Sequence, residues 1–258
     1  MIFNKKSMFW VLVKKKSYNR FWEIDLLRGI AIILMIIFHI LYDLNYFDIY
    51  KLSLYSGYFL IYVYLNASLF IVLVGISLSL SYSRAKTTLT KKELQLKYLL
   101  RGLKIFGLGI IVTLATWIYL KDGYVIFGVL HCIGISIILA YPFIKFRYPN
   151  LILGMVLIFS GIIVKTLTFD FYWLVWLGFT PPQFYTVDYF PLLPWFGVVL
   201  VGIFIGNSLY HKNKRRFRMK DLSQSIFVRF FCFLGRNSLI IYFLHQLIIV
   251  GLIYLFLL

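Results

Sequence analysis

Apolar positions along this chain run on without the interruptions of a half-buried helix or strand. Seven stretches are apolar nearly throughout, over about 28 to 47, 58 to 81, 103 to 120, 125 to 144, 151 to 168, 189 to 210 and 237 to 257. About 20 helical residues rise roughly 30 Å, the thickness of a bilayer's hydrocarbon core. The pattern predicts an all-α, polytopic membrane helix bundle of about seven transmembrane spans. Polar segments separate them. The longest outer connection, FDFYWLVWLGFTPPQFYTVD at 169 to 188, is rich in Trp and Tyr that suit the headgroup region, and Pro181 and Pro182 interrupt any helix there. SIFVRFFCFLGR, just before the last span, reads as an amphipathic segment along the inner interface.

Composition agrees and adds an orientation. Hydrophobic residues make up 62% of the 258 and charged ones 14%, and the mean hydropathy is +0.87, outside ordinary soluble usage. The net charge of +18 falls in short runs between apolar stretches and forms no nucleic-acid-binding face. Of 27 Lys and Arg, 24 lie in residues 1–28, 82–104, 145–150 and 211–236, leaving only Lys51, Lys121 and Lys165. By the positive-inside rule those four segments are cytoplasmic, and with them the N-terminus. The organisation expected is a basic cytoplasmic segment over 1–20 and one transmembrane domain over 21–258. MFWVLV, between the first basic clusters, is too short for a signal-peptide core, so no cleavable signal is expected. Cys132 and Cys232 are too far apart to indicate a disulfide framework or a metal-ligand pair, and no metal is expected.

Polar residues inside the spans change the picture further. RFWEIDLLRGIAIILMIIFHILYDLNYF, residues 20 to 47, carries Asp25, Arg28, His39 and Asp43. At 100° per residue, Arg28, His39 and Asp43 fall at about −60°, −40° and 0° relative to Asp25, so all four share one stripe. Arg28 marks the cytoplasmic mouth, and His39 lies roughly 16 Å deeper. His39 and Asp43 are an i, i+4 pair, near enough for the carboxylate to orient an imidazole that takes and returns a proton. In the last span, Ser238, Tyr242 and His245 share a face, and His131 sits in the fourth span. Polar groups on apolar spans face a bundle interior, so one cavity lined by His39, His131, Ser238, Tyr242 and His245 is expected.

Five segments in order carry a family resemblance: residues 20–47, quoted above, LFIVLVGISLSLSYSR (69–84), FGVLHCIGISIIL (127–139), PLLPWFGVVLVGIFIGN (191–207) and LGRNSLIIYFLHQ (234–246). Together they resemble the prokaryotic members of the heparan-alpha-glucosaminide N-acetyltransferase catalytic-domain family. The likeness runs from about residue 20 to the C-terminus. Arg28, ten residues, His39 is also similar to the signature of wider transmembrane acyltransferases that O-acetylate envelope glycans. The resemblance implies acetyl transfer from cytosolic acetyl-CoA to an amine or hydroxyl of a sugar or glycan on the far side of a cell membrane. Arg28 and Asp25 would then serve donor binding, with His39 and Asp43 catalytic. One departure is visible. In the lysosomal members the histidine regarded as catalytic lies in the following loop, whereas LNYFDIYKLSLYSG (44–57) contains none, so the role is placed on His39 from its own surroundings.

Other classes compete. A proton-coupled carrier would also place His, Asp and Arg within spans, but no internal repeat is visible. A retinal protein needs a lysine in its last span, and residues 237–258 have none. Membrane lipids are expected partners and nucleic acid is not; association into a homo-oligomer is left open.

Overall fold

A computed structural model describes residues 20–54 and 56–257, so the expected cytoplasmic segment over 1–20 lies almost wholly outside the described residues. Eight helices follow in order: α1 (Trp22–Tyr46), α2 (Gly57–Ala85), α3 (Lys91–Leu120), α4 (Val129–Ala140), α5 (Tyr148–Val164), α6 (Leu192–Leu209), α7 (Ile226–Arg236) and α8 (Ser238–Phe256). Between α6 and α7, β1 (Tyr210–His211) pairs antiparallel with β2 (Lys214–Arg215). The fold is all-α. Five helices, α1, α2, α3, α6 and α8, are long and apolar enough to cross a membrane, and α4 and α5 are shorter apolar helices. These seven correspond to the seven expected spans.

The boundaries differ where polar chemistry overrides hydropathy. α3 starts twelve residues before the expected 103, because Thr90 and Glu93 form a capping box: Thr90 N donates to Glu93 Oε2 at 2.8 Å and Glu93 N to Thr90 Oγ1 at 3.4 Å. α4 is shorter than expected. Its start is set at Gly128, and turns begin at Tyr141, just before Pro142.

α6 is the central helix, packed between α2 and α5. Its Val199, Leu200 and Ile203 are fully buried with Ile71 and Leu78 of α2 and Ile137 of α4. Gly75 and Gly202 permit close approach: a Cβ on Gly202 would lie 2.3 Å from the Val72 carbonyl oxygen. α1 packs on α2, α7 and α8, and α3 on α4. The outward faces remain apolar, with Leu65, Ile118 and Leu247 each about two-thirds exposed or more. A chain that is apolar both at its core and on its surface has hydrocarbon as its solvent.

α7 is too short to span. It buries Val228, Cys232 and Gly235 while exposing Ile226, Phe227, Phe230 and Phe233. Residues 169–191 fold back on the α3–α4 connection through Val187 N to Gly123 O and Phe190 N to Phe127 O, both 2.9 Å. That return brings Asp188 to the start of α4.

Candidate functional site

At one end of α1, two carboxylates are surrounded by arginine. Asp25, buried in the first turn, accepts from Arg28 Nη1 at 3.1 Å and lies 3.8 Å from Arg20 Nη1. Arg236 and Arg84 also act on it electrostatically, and Arg101 acts on Arg28. Arg28 Nη2 donates to Ser77 Oγ on α2. Glu23 is committed elsewhere: Arg215 grips both its oxygens at 2.7 Å and Tyr210 OH donates to it at 2.9 Å. Four arginines thus act on the single charge of Asp25, and a fifth, Arg101, acts on Arg28. This is the surplus that a multiply charged phosphate ligand requires.

Roughly 16 Å beyond Arg28 along α1, His39 meets His245 of α8 edge-on, ring centroids 4.6 Å apart. His39 Nδ1 and His245 Nε2 are buried without hydrogen-bond partners. His245 Nδ1 lies 2.5 Å from the Tyr242 carbonyl oxygen, and the Tyr242 ring packs 5.4 Å from His245 and 6.4 Å from Phe70. One turn beyond His39, Asp43 is buried and accepts from Gln246 Nε2 on both oxygens, at 2.9 and 2.8 Å. The expected orientation of His39 by Asp43 is thus replaced. α8 supplies a histidine for the histidine and an amide for the carboxylate.

His131 stands apart from this pair. It accepts from Gly128 N at Nδ1 (3.2 Å), approaches Thr113 Oγ1 through Nε2 (3.5 Å) and packs against Phe106 and Phe127. The structure gives it a cap at the start of α4. Asp188 completes that cap by accepting from Val129 N at 3.2 Å. Burial pushes the Asp188 carboxyl up to about 6, against the pull of the Val129 amide. Ser238 is half-buried at the first position of α8, about 10 Å along the helix from His245. Of the five residues expected to share one cavity, the structure brings together His39, His245 and Tyr242.

Gln246, Asp188, Ser77, Arg84, Arg101 and Arg236 were not among the residues singled out from sequence. Gln246 carried a readable signal, a polar amide beside His245 in an apolar span. The arginines carried none, because topology already accounted for basic residues at helix ends.

An arginine cluster, a buried histidine pair and a carboxylate–amide pair along apolar, membrane-length helices define the class: a polytopic membrane protein with ionisable groups buried inside its bundle. The particular family follows from comparison. The family model described as heparan-alpha-glucosaminide N-acetyltransferase, catalytic, matches residues 20–247, and the chain belongs to that family. Comparison with curated proteins and with solved structures gave no match.

Proposed function

We propose that the protein is a cell-membrane acetyltransferase that takes the acetyl group of acetyl-CoA from the cytosolic side and passes it to an amine or hydroxyl of a sugar or glycan on the other side. The observation that carries this reading is the column along α1: four arginines acting on Asp25 at one end with Arg101 acting on Arg28, the His39–His245 pair about three turns beyond Arg28, and Asp43 with Gln246 further on. The donor's phosphates fit the arginine surplus, with Arg28 held between Asp25 and Ser77. That end is cytosolic on the charge distribution, since Arg20, Arg28, Arg84, Arg101 and Arg236 all belong to the segments that gather Lys and Arg.

The acceptor reaches the histidines from the opposite mouth, past Asp43 and Gln246. Nitrogen or oxygen of the acceptor attacks the thioester carbonyl carbon, the carbon–sulfur bond breaks, and the His39–His245 pair receives the proton that the acceptor loses. No step calls on a metal.

Purified protein in lipid nanodiscs tests the proposal. It should bind acetyl-CoA and release free CoA when offered amino sugars or neutral sugars. His39→Ala should abolish release on the order of 100-fold or more while leaving donor affinity within about twofold, and Arg28→Ala should weaken donor affinity first. CoA release by His39→Ala at the wild-type rate, or donor binding unaffected by Arg28→Ala, would remove these residues from the roles given.

A further inference from the structure

The two buried histidines whose neighbours fix their tautomers are fixed oppositely. At His131, Nδ1 lies 3.2 Å from Gly128 N. A backbone N–H can only donate, so Nδ1 is the bare nitrogen and the neutral ring carries its proton on Nε2. Thr113 Oγ1, whose own proton goes to the Val125 carbonyl at 2.7 Å, faces that Nε2. Both nitrogens of His131 are thereby occupied.

At His245, Nδ1 lies 2.5 Å from the Tyr242 carbonyl oxygen. A carbonyl can only accept, so Nδ1 carries the proton and the neutral ring leaves its lone pair on Nε2. That Nε2 is buried and without a hydrogen-bond partner. The edge of the His39 ring stands against the same imidazole. A bare lone pair kept from water and from any protein donor is expensive to maintain and is what a general base must present to an incoming N–H or O–H.

We propose that His245 Nε2 is the atom that takes the proton from the acceptor, with the Tyr242 carbonyl holding the tautomer and stabilising the imidazolium through Nδ1–H. This rests on the acetyl-transfer reading and deepens it. As the acceptor's nitrogen or oxygen bonds to the acetyl carbon and CoA leaves as thiolate, its proton moves to Nε2. The imidazolium then returns that proton to the CoA sulfur, so the ring ends the cycle neutral and no further reactant is consumed. The carbonyl stands in the position that a carboxylate holds behind the base of a catalytic triad. A carbonyl orients the ring without neutralising the cation. His39, the other member of the pair, holds that ring in place by edge contact, so removing either histidine disables the proton acceptor.

Two measurements test this, and the first does not depend on turnover. Nitrogen NMR on protein labelled at histidine reads which ring nitrogen bears the proton, with His245→Gln assigning the signal and His131 serving as the opposite tautomer. A His245 signal protonated at Nδ1 and bare at Nε2 supports the proposal; protonation at Nε2 overturns it even if the protein proves to be an active acetyltransferase. The second is turnover. His245→Gln should lower kcat on the order of 100-fold or more, keep acetyl-CoA affinity within about twofold, and abolish the acidic limb of the pH profile of kcat/KM. Wild-type kcat with an unaltered profile overturns the base role. So does a labelled acetyl group trapped on His245, which would make it the nucleophile. Should His245→Gln fail to fold, the wild-type tautomer decides. Wild-type protein that releases no CoA with any acceptor refutes the acetyl-transfer reading, and the base role that rests on it, while leaving the tautomer assignment to NMR alone.

Discussion

The contact between α1 and α7 holds Arg236 near Asp25, and it depends on two glycines. A Cβ on Gly235 would lie 1.8 Å from the Asp25 carbonyl oxygen and 2.9 Å from Gly29 N; one on Gly29 would lie 2.0 Å from the Phe231 carbonyl oxygen. The atoms met are backbone, so no side-chain rotation relieves the clash. Restoring ordinary contact, roughly 3.3 Å or more between carbon and oxygen, requires the helices to part by more than an ångström. Overpacking of this kind costs about 1–3 kcal/mol, and parting the helices also uncovers Val228 and Cys232, so Gly235→Ala should lose about 3 kcal/mol.

Function should follow stability here, because Arg236 is the next residue and its charge acts on Asp25. Gly235→Ala should unfold at lower temperature in detergent, exchange the α7 amides faster and bind acetyl-CoA more weakly. Gly251→Ala is the control, since nothing lies within 4 Å of a Cβ there. Replacing a helical glycine by alanine in open space gains up to about 1 kcal/mol, so the two variants should move in opposite directions. A Gly235→Ala protein with wild-type melting, exchange and donor affinity would refute the reasoning.

Two further predictions concern the connections. Glu23→Gln should loosen the β1–β2 hairpin, because it replaces a buried carboxylate gripped by Arg215 and Tyr210; a loss of about 2–3 kcal/mol should appear as faster tryptic cleavage within 212–218, and unchanged cleavage would count against it. Asp188 titrates near 6 in the folded protein against an ordinary 3.8, so its contribution to stability is fully present below about pH 3.8 and is lost as pH rises through about 6. The displacement corresponds to at most about 3 kcal/mol, and Asp188→Asn, which keeps an oxygen for the Val129 amide, should flatten stability against pH over that interval; an equally steep variant would exclude Asp188 as the source.

Hydropathy made the seven apolar helices legible because each buries its backbone polar groups within itself and needs no partner to be recognised. The stripe on α1 was legible for a related reason: helical periodicity is local. What periodicity cannot supply is the identity of the facing helix. Asp43 is four residues from His39 and close to it along the axis, but which side chain it bonds is decided by α8, which presents Gln246 to the carboxylate and His245 to the imidazole. His131 illustrates the reverse case. GVLH places a histidine three residues after the glycine that starts α4, the position from which a side chain can reach back to the cap. Its structural role was readable from that spacing, whereas its depth in an apolar run pointed to the cavity. Asp188 was out of reach because the segment 169–191 folds back over a turn more than forty residues earlier.

Apart from Trp22 Nε1 at its start, the satisfied and unsatisfied polar groups of α1 support placing the proposed chemistry at the histidine pair. Glu23, Asp25 and Asp43 are buried carboxylates, and each is bonded to arginine or amide. Their cost is met inside the fold. His39 Nδ1, His245 Nε2 and Gln246 Oε1 are buried polar atoms of the same two helices, and none has a hydrogen-bond partner. At about 1–3 kcal/mol for each unmade bond, three such atoms gathered in one place are a strain that apolar side chains of similar volume would avoid. Gln246 Oε1 accepts hydrogen bonds, and so does the bare nitrogen of His245. What would satisfy them is a molecule bringing N–H or O–H donors to the middle of the membrane, and an amine or hydroxyl awaiting acetylation is a molecule of that kind.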